Sequence, residues 1–237
     1  FKNKTLAIAV ITMTFFMIAF FGAALLYPQY FIGIRGESTL AAGLLLAPQG
    51  IGAMITMPVA GKMTDKIGPG KFVLVGIVLM AVGMGTFMFL GADTPYWLLC
   101  GALFVQGLGM GMTMMPIMSA ALATLSNKQV PDGSTLMNVV QQTASSIGTA
   151  VISVILATNL KAHAESQLAI ASNAAPEKYD LLVKAGQAPQ DPPGQWFSWA
   201  AEAFGATFIV AVALIAVTII PAFFLPRRKI ASPLVEE

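Results

Sequence analysis

Gly61-Lys62-Met63-Thr64-Asp65-Lys66-Ile67-Gly68-Pro69-Gly70-Lys71 is a charged, glycine-punctuated stretch between two long runs that carry no charge at all. Uncharged runs occupy 5–34, 38–61, 72–92, 94–127, 133–160 and 203–226. About 20 apolar residues cross ~30 Å of hydrocarbon as a helix, so each run is long enough to span a membrane once. The 94–127 run reads as one long helix, because a re-entering pair needs about 40 residues plus a turn. Composition agrees: hydrophobic residues make up 57% of the chain and charged residues 10%, with a mean hydropathy of +0.77. Those values lie well outside soluble composition. The expected fold is an all-α integral membrane protein, a six-transmembrane-helix bundle with spans near 5–30, 39–60, 72–91, 96–125, 133–160 and 199–226.

The placement of charge sets an orientation. Alternate loops sort Lys2, Lys4, Lys62, Lys66, Lys71, Lys128, Arg227, Arg228 and Lys229 to one side, and Arg35, Lys161, Lys178 and Lys184 to the other. The positive-inside rule makes the first side cytoplasmic, with both termini inside a cytoplasmic membrane. A net charge of +2 is too small to argue for a nucleic-acid partner. On this plan residues 1–160 hold the first five helices, with the 61–71 hinge cytoplasmic. Residues 161–198 form one long extracytoplasmic loop with a short amphipathic helix over Pro176–Gly186, and 227–237 a cytoplasmic tail. The chain opens at Phe1 inside a basic segment, without methionine or a signal-peptide pattern, so it is expected to be a piece of a longer chain.

Aromatic residues mark the span ends. Tyr27 and Tyr30, Tyr96 and Trp97, and Trp196 and Trp199 are expected at headgroup level, where amphipathic rings sit. Gly76, Gly83 and Gly85 in the third span are expected to form a close-packing face. In the fourth, the glycines of Gln106-Gly107-Leu108-Gly109-Met110-Gly111 could be read as a nucleotide fingerprint, but neither the strand nor the βαβ unit it requires is present. Close helix packing around a bend at Pro116 accounts for it better. The methionines from Met110 to Met118 suit either an adaptable ligand surface or plain packing. Cys100 lies within a span and reads as a packing residue, and the single His163 as a solvated loop residue. No metal site or cofactor is expected, and no catalytic constellation of an enzyme is present outside the loops. The fifth span is the most polar, with Asn138, Gln141, Gln142, Thr143, Ser145 and Ser146. Polar groups at this density face another helix or a watery cavity rather than lipid.

Six spans with Gly61, Asp65, Lys66 and Gly68 in the loop between the second and third resemble one half of a major facilitator superfamily transporter. Pro69-Gly70 stands where that family has basic residues, and Lys71 follows. Gln106-Gly107-x-Gly109 through Pro116 is similar to the fourth helix of each half. Asn138-x-x-Gln141-Gln142 through Gly148 resembles the fifth helix of the carboxy-terminal half in the 14-helix drug:proton antiporters, with Gln141 where that branch often has arginine. The resemblance implies the carboxy-terminal six-helix half of a multidrug exporter in a bacterial cytoplasmic membrane. Such a protein exports hydrophobic or amphipathic compounds by proton antiport, its halves rocking around a midplane site. By position, Phe16, Phe20, Gln106, Met110, Asn138 and Gln142 become cavity candidates, each with a packing role as the alternative, and Gln49 joins them as a polar mid-span residue. Gly61, Asp65, Lys66, Gly68 and Lys71 become a gating hinge, Asp65 docking on a helix N-terminus of the missing amino-terminal half. No Asp or Glu lies at mid-depth, so the proton-relay carboxylate is expected in that other half. A specific lipid or metabolite exporter on the same scaffold, or a non-transporting membrane subunit, are the alternatives.

Overall fold

The computed structural model describes residues 4–123, 125–126 and 128–225, with only the backbone at Lys4 and over 65–67. Arg227, Arg228, Lys229 and the tail to Glu237 lie outside the described residues, as do Lys2 and the side chains of Asp65 and Lys66. The helices are α1 (Lys4–Gly33), α2 (Thr39–Leu45), α3 (Ala47–Ile67), α4 (Pro69–Thr86), α5 (Tyr96–Leu122), α6 (Val130–Leu160), α7 (Ala164–Ala174), α8 (Pro176–Lys184), α9 (Gly194–Val217) and α10 (Ile219–Phe223). Six stretches are long and apolar enough to cross a membrane: α1, α2 with α3, α4, α5, α6, and α9 with α10. Among the described residues there is no strand.

Local chemistry explains the breaks. Ser38 caps α2, its hydroxyl accepting from the Ala41 N–H at 3.2 Å. Pro48 has no N–H to give, and the helix is interrupted at Leu46, just ahead of it. Pro58, Pro28 and Pro116 remain inside their helices. The second span, expected to end near residue 60, runs further. Gly61 does not end the helix; α3 runs on to Ile67, and the reversal falls on Gly68 alone, at φ 94°. Its N–H bonds the Thr64 carbonyl at 2.9 Å, and Pro69 opens α4 at once. Charge drives a helix out of hydrocarbon without unwinding it, whereas this positive φ needs a residue without Cβ.

α5 is the centre of one packed group and α1 of another. Gly107 and Gly111 of α5 lie against Gln49 and against Ala53 and Thr56 of α3, while Gly109 meets Gly76 and Met80 of α4. Thr56 fastens the first contact, donating its hydroxyl to the Leu108 carbonyl at 3.0 Å. Gly83 abuts Ala102 and Gln106, but a Cβ at Gly85 would meet nothing within 4 Å, so Gly85 is not part of the packing face. α1 joins α6 where Gly22 faces Ile152 and Gly148 faces Ile18. α9 packs on α1, α4 and α6, and the Asn159 amide donates to the Thr207 hydroxyl at 3.0 Å across the α6–α9 contact.

The 161–198 segment holds two helices rather than one. α8 is the amphipathic helix expected from sequence, with Tyr179 buried and Glu177, Asp180 and Lys184 exposed. α7 is additional and packs on α9 and α1. Its register hides Ser166 and Ala169 beneath the helix.

Candidate substrate-facing surface

α6 is the helix whose polarity is organised. Gly133, Met137, Ala144, Gly148, Ile152 and Leu156 are buried along one side. Thr135, Asn138, Gln142, Thr143 and Ser146 are exposed on the other. Asn138 and Gln142 are four residues apart and so stand one above the other on the helix. Ser145 and Ser146 turn their hydroxyls back on the Gln142 carbonyl at 2.9 Å, whereas the Asn138 and Gln142 amides and the Thr143 hydroxyl stay open on this face. An amide set against hydrocarbon loses its water without replacement, at a cost of about 1–3 kcal/mol. The face is therefore built to meet water, another polypeptide or a polar ligand. Among the described residues it carries no charge between Asp132 and Lys161, so its chemistry is hydrogen bonding rather than ion pairing.

The other residues singled out by sequence do not converge on this face. Phe16 and Phe20 are buried within the bundle at 0% and 8% exposure, stacked with parallel rings 5.9 Å apart. Gln106 is wholly buried, and its Oε1 accepts a hydrogen bond from the Tyr27 hydroxyl at 2.7 Å. Met110, Met114 and Met118 pack against the core, while Met115 is exposed. Gln49 is half-buried, and its Nε2, like that of Gln106, has no partner in the structure. Lys71 is exposed at the start of α4.

Two polar constellations escaped the sequence reading. Tyr27 and Tyr30 are buried in the core, their rings enclosed by neighbouring helices. Tyr27 packs edge-on to Phe87 at 4.8 Å and bonds Gln106, while the Tyr30 hydroxyl donates to the Gly91 carbonyl at 2.7 Å. Helix ends overlap in depth once they pack, so a tyrosine near a span end can point inward. The second constellation lies at the end of the bundle where α1 stops. The Tyr96 hydroxyl donates to a Glu37 carboxylate oxygen at 2.5 Å and accepts from Arg35 Nε at 3.2 Å. The Arg35 guanidinium also sits 4.4 Å from the Tyr96 ring centre and donates to the Ala92 carbonyl. Burial works against the Arg35 charge, but the Tyr96 hydroxyl bond and the nearby Asp93 carboxylate leave the guanidinium above its ordinary range. His163 is exposed and stacks on Trp199 at 4.5 Å. Among the described residues no three His, Cys, Asp or Glu side chains gather at one point.

Residues 1–160 match the pattern of the Major Facilitator Superfamily. The chain belongs to that superfamily. Major facilitator proteins are transporters, not enzymes, and the six apolar helices make this a multi-pass membrane protein. It is 40% identical to "Multidrug resistance protein B homolog" of Mycobacterium tuberculosis, over 97% of this chain and 44% of that protein. The "Lincomycin resistance protein LmrB" of Bacillus subtilis is 30% identical over 97% of this chain and 44% of its own length. The "Uncharacterized MFS-type transporter YhcA" of the same organism is 30% identical over 71% and 32%. This major facilitator chain thus spans less than half the length of the curated relatives it matches.

Proposed function

We propose that the chain is the carboxy-terminal half of a multidrug exporter, and that the open face of α6 forms part of the wall of a central substrate cavity. The observation that carries the reading is the exposed Asn138–Gln142 pair, a polar strip on a membrane helix that hydrocarbon would penalise. The names of the relatives, multidrug resistance and lincomycin resistance, support hydrophobic or amphipathic compounds as cargo. Amides offer hydrogen bonds without selecting a charge, which suits substrates that share polarity pattern rather than structure. Both termini lie in the cytoplasm, and the two halves rock around the midplane site. Export runs by proton antiport, with the relay carboxylate in the partner half. The Gly61–Lys71 stretch acts as the gating hinge, Asp65 docking on that half with about 0.3–2 kcal/mol, enough to bias an equilibrium without locking it.

The test is efflux of ethidium from bacteria producing the full-length transporter. Asn138→Leu with Gln142→Leu should leave the amount of protein in the membrane unchanged, since both residues are exposed, and should cut efflux at least several-fold. Undiminished efflux by the double variant would remove these residues from the cavity. Asp65→Asn tests the hinge in the same cells, and collapse of the pH gradient tests the coupling ion.

A further inference from the structure

The end of the bundle where α1 stops contains a cavity that the transport surface leaves unused. It holds about 470 Å³ and lies between Gln29 and Ile32 of α1, Thr39 of α2, Leu160 of α6, Ile170 of α7 and Phe204 of α9. α7 is its roof. Ile170 packs directly over Gly33, and the Asn173 amide donates to the Gly33 carbonyl at 3.1 Å, which pins the roof to the end of α1. The volume falls within the ~300–1,000 Å³ range of small-molecule sites. Nearly four turns of α6 separate it from the amide pair: Leu156, its nearest lining residue on that helix, is about 21 Å along the axis from Gln142.

The walls define the ligand. Among the described residues, no Lys, Arg, His, Asp or Glu lines the cavity. Its polar side chains are the Gln29 amide and the Thr39 hydroxyl, both on exposed residues, and the remaining lining is apolar or glycine. A charged ligand would lose its hydration here with no counter-charge to replace it, whereas an apolar body with one hydrogen-bonding end would be matched throughout. A neighbouring cavity of about 370 Å³ contrasts with it, since Arg35 and Asp93 line that one. Part of the uncharged cavity is also outside the shared family pattern. That pattern ends at residue 160, yet Ile170, Ala174 and Phe204 supply the roof and one wall.

We propose that this cavity is a second binding site, for an uncharged amphipathic small molecule held with its apolar body against Ile32, Leu160, Ile170 and Phe204 and its polar end at Gln29 and Thr39. The site is independent of the cargo and coupling proposed above, because it is defined by binding at the α7 roof and not by transport.

Benzophenone is a suitable probe, an uncharged apolar body with one carbonyl acceptor that forms covalent bonds on irradiation. The full-length protein in lipid nanodiscs is irradiated over a range of benzophenone concentrations, and labelled peptides are quantified by mass spectrometry. A cationic analogue, 4-benzoylbenzyl-trimethylammonium, is run in parallel. The expected result is saturable labelling of the segments around Ile32 and Ile170 by benzophenone, with at least tenfold less by the cation. Ala174→Trp fills the cavity from its exposed rim and should abolish the saturable part. Gln29→Leu should raise the half-saturating concentration several-fold. Labelling that rises linearly with concentration would mean bilayer lipid alone occupies the space and would overturn the proposal. Equal labelling by the cation, or unchanged labelling in both variants, would overturn it as well. Gln29 is exposed, so that variant still decides the matter if Ala174→Trp does not fold.

Discussion

Replacing Gly109 with alanine adds one methyl group where α4 and α5 lie closest. Built on the existing backbone, the new Cβ falls 2.5 Å from the Gly76 carbonyl oxygen and 2.8 Å from the Met80 nitrogen. Both are backbone atoms of α4, so no side chain can turn aside to make room. Ordinary contact begins near 3.4 Å, and the helices must therefore separate by about 1 Å. A gap of ~0.5–1 Å forfeits a quarter to a half of the dispersion energy of each contact across it. Overpacking of this kind costs about 1–3 kcal/mol. Gly101 lies on the same helix, and a Cβ there would meet nothing within 4 Å. Gly101→Ala should instead stabilise, by about 0.5–1 kcal/mol, through the lower freedom of the unfolded chain. The two identical substitutions should thus differ by roughly 1.5–4 kcal/mol with opposite signs. Unfolding in mixed micelles with increasing SDS, followed by tryptophan fluorescence, reads both. If Gly109→Ala proved as stable as Gly101→Ala, the close α4–α5 approach would be wrong.

Three further outcomes follow from the polar contacts. Tyr27→Phe removes the hydroxyl bound to Gln106 and leaves that buried amide without a partner at either end, which should cost about 1–3 kcal/mol; combining it with Gln106→Leu should recover most of the loss in the same SDS titration. Tyr96→Phe keeps the ring beneath Arg35 but deletes the hydroxyl between Arg35 and Glu37. At this half-exposed site global stability should fall by no more than about 1 kcal/mol, while hydrogen exchange should quicken over residues 34–42. Asn173→Ala frees α7 from the Gly33 carbonyl, so exchange should rise in α7 and stay unchanged in α4 and α5; uniform protection in the variant would show that the amide does not hold the roof.

Six spans, their order and the superfamily were legible because the cost of placing charge in hydrocarbon is large and leaves long uncharged runs in any sequence that crosses a membrane. The polar face of α6 was legible from the same pattern: Asn138 and Gln142 recur at helical spacing in a run that carries no charge. The inward faces of the remaining spans were not. A membrane helix is apolar on the side that meets lipid and on the side that meets protein, so hydrophobic periodicity no longer separates inside from outside. That is why Phe16 and Gln106, placed by position on a cavity, turn out to be enclosed by the bundle, and why Tyr27 is a core residue. It is also why Gly76, Gly83 and Gly85 looked alike, although only the first two have a neighbouring backbone.

The 61–71 stretch divides in the same way. Its charges alone determined that the chain leaves the membrane there and turns back. Only the tertiary structure decided that α3 continues through the charged residues and that the whole reversal rests on Gly68, because helix continuity depends on φ and ψ, which side-chain charge does not set. The roof formed by α7 belongs wholly to the tertiary structure: its hold on α1 joins Gly33 to Asn173, 140 residues apart, through one hydrogen bond and the packing of Ile170.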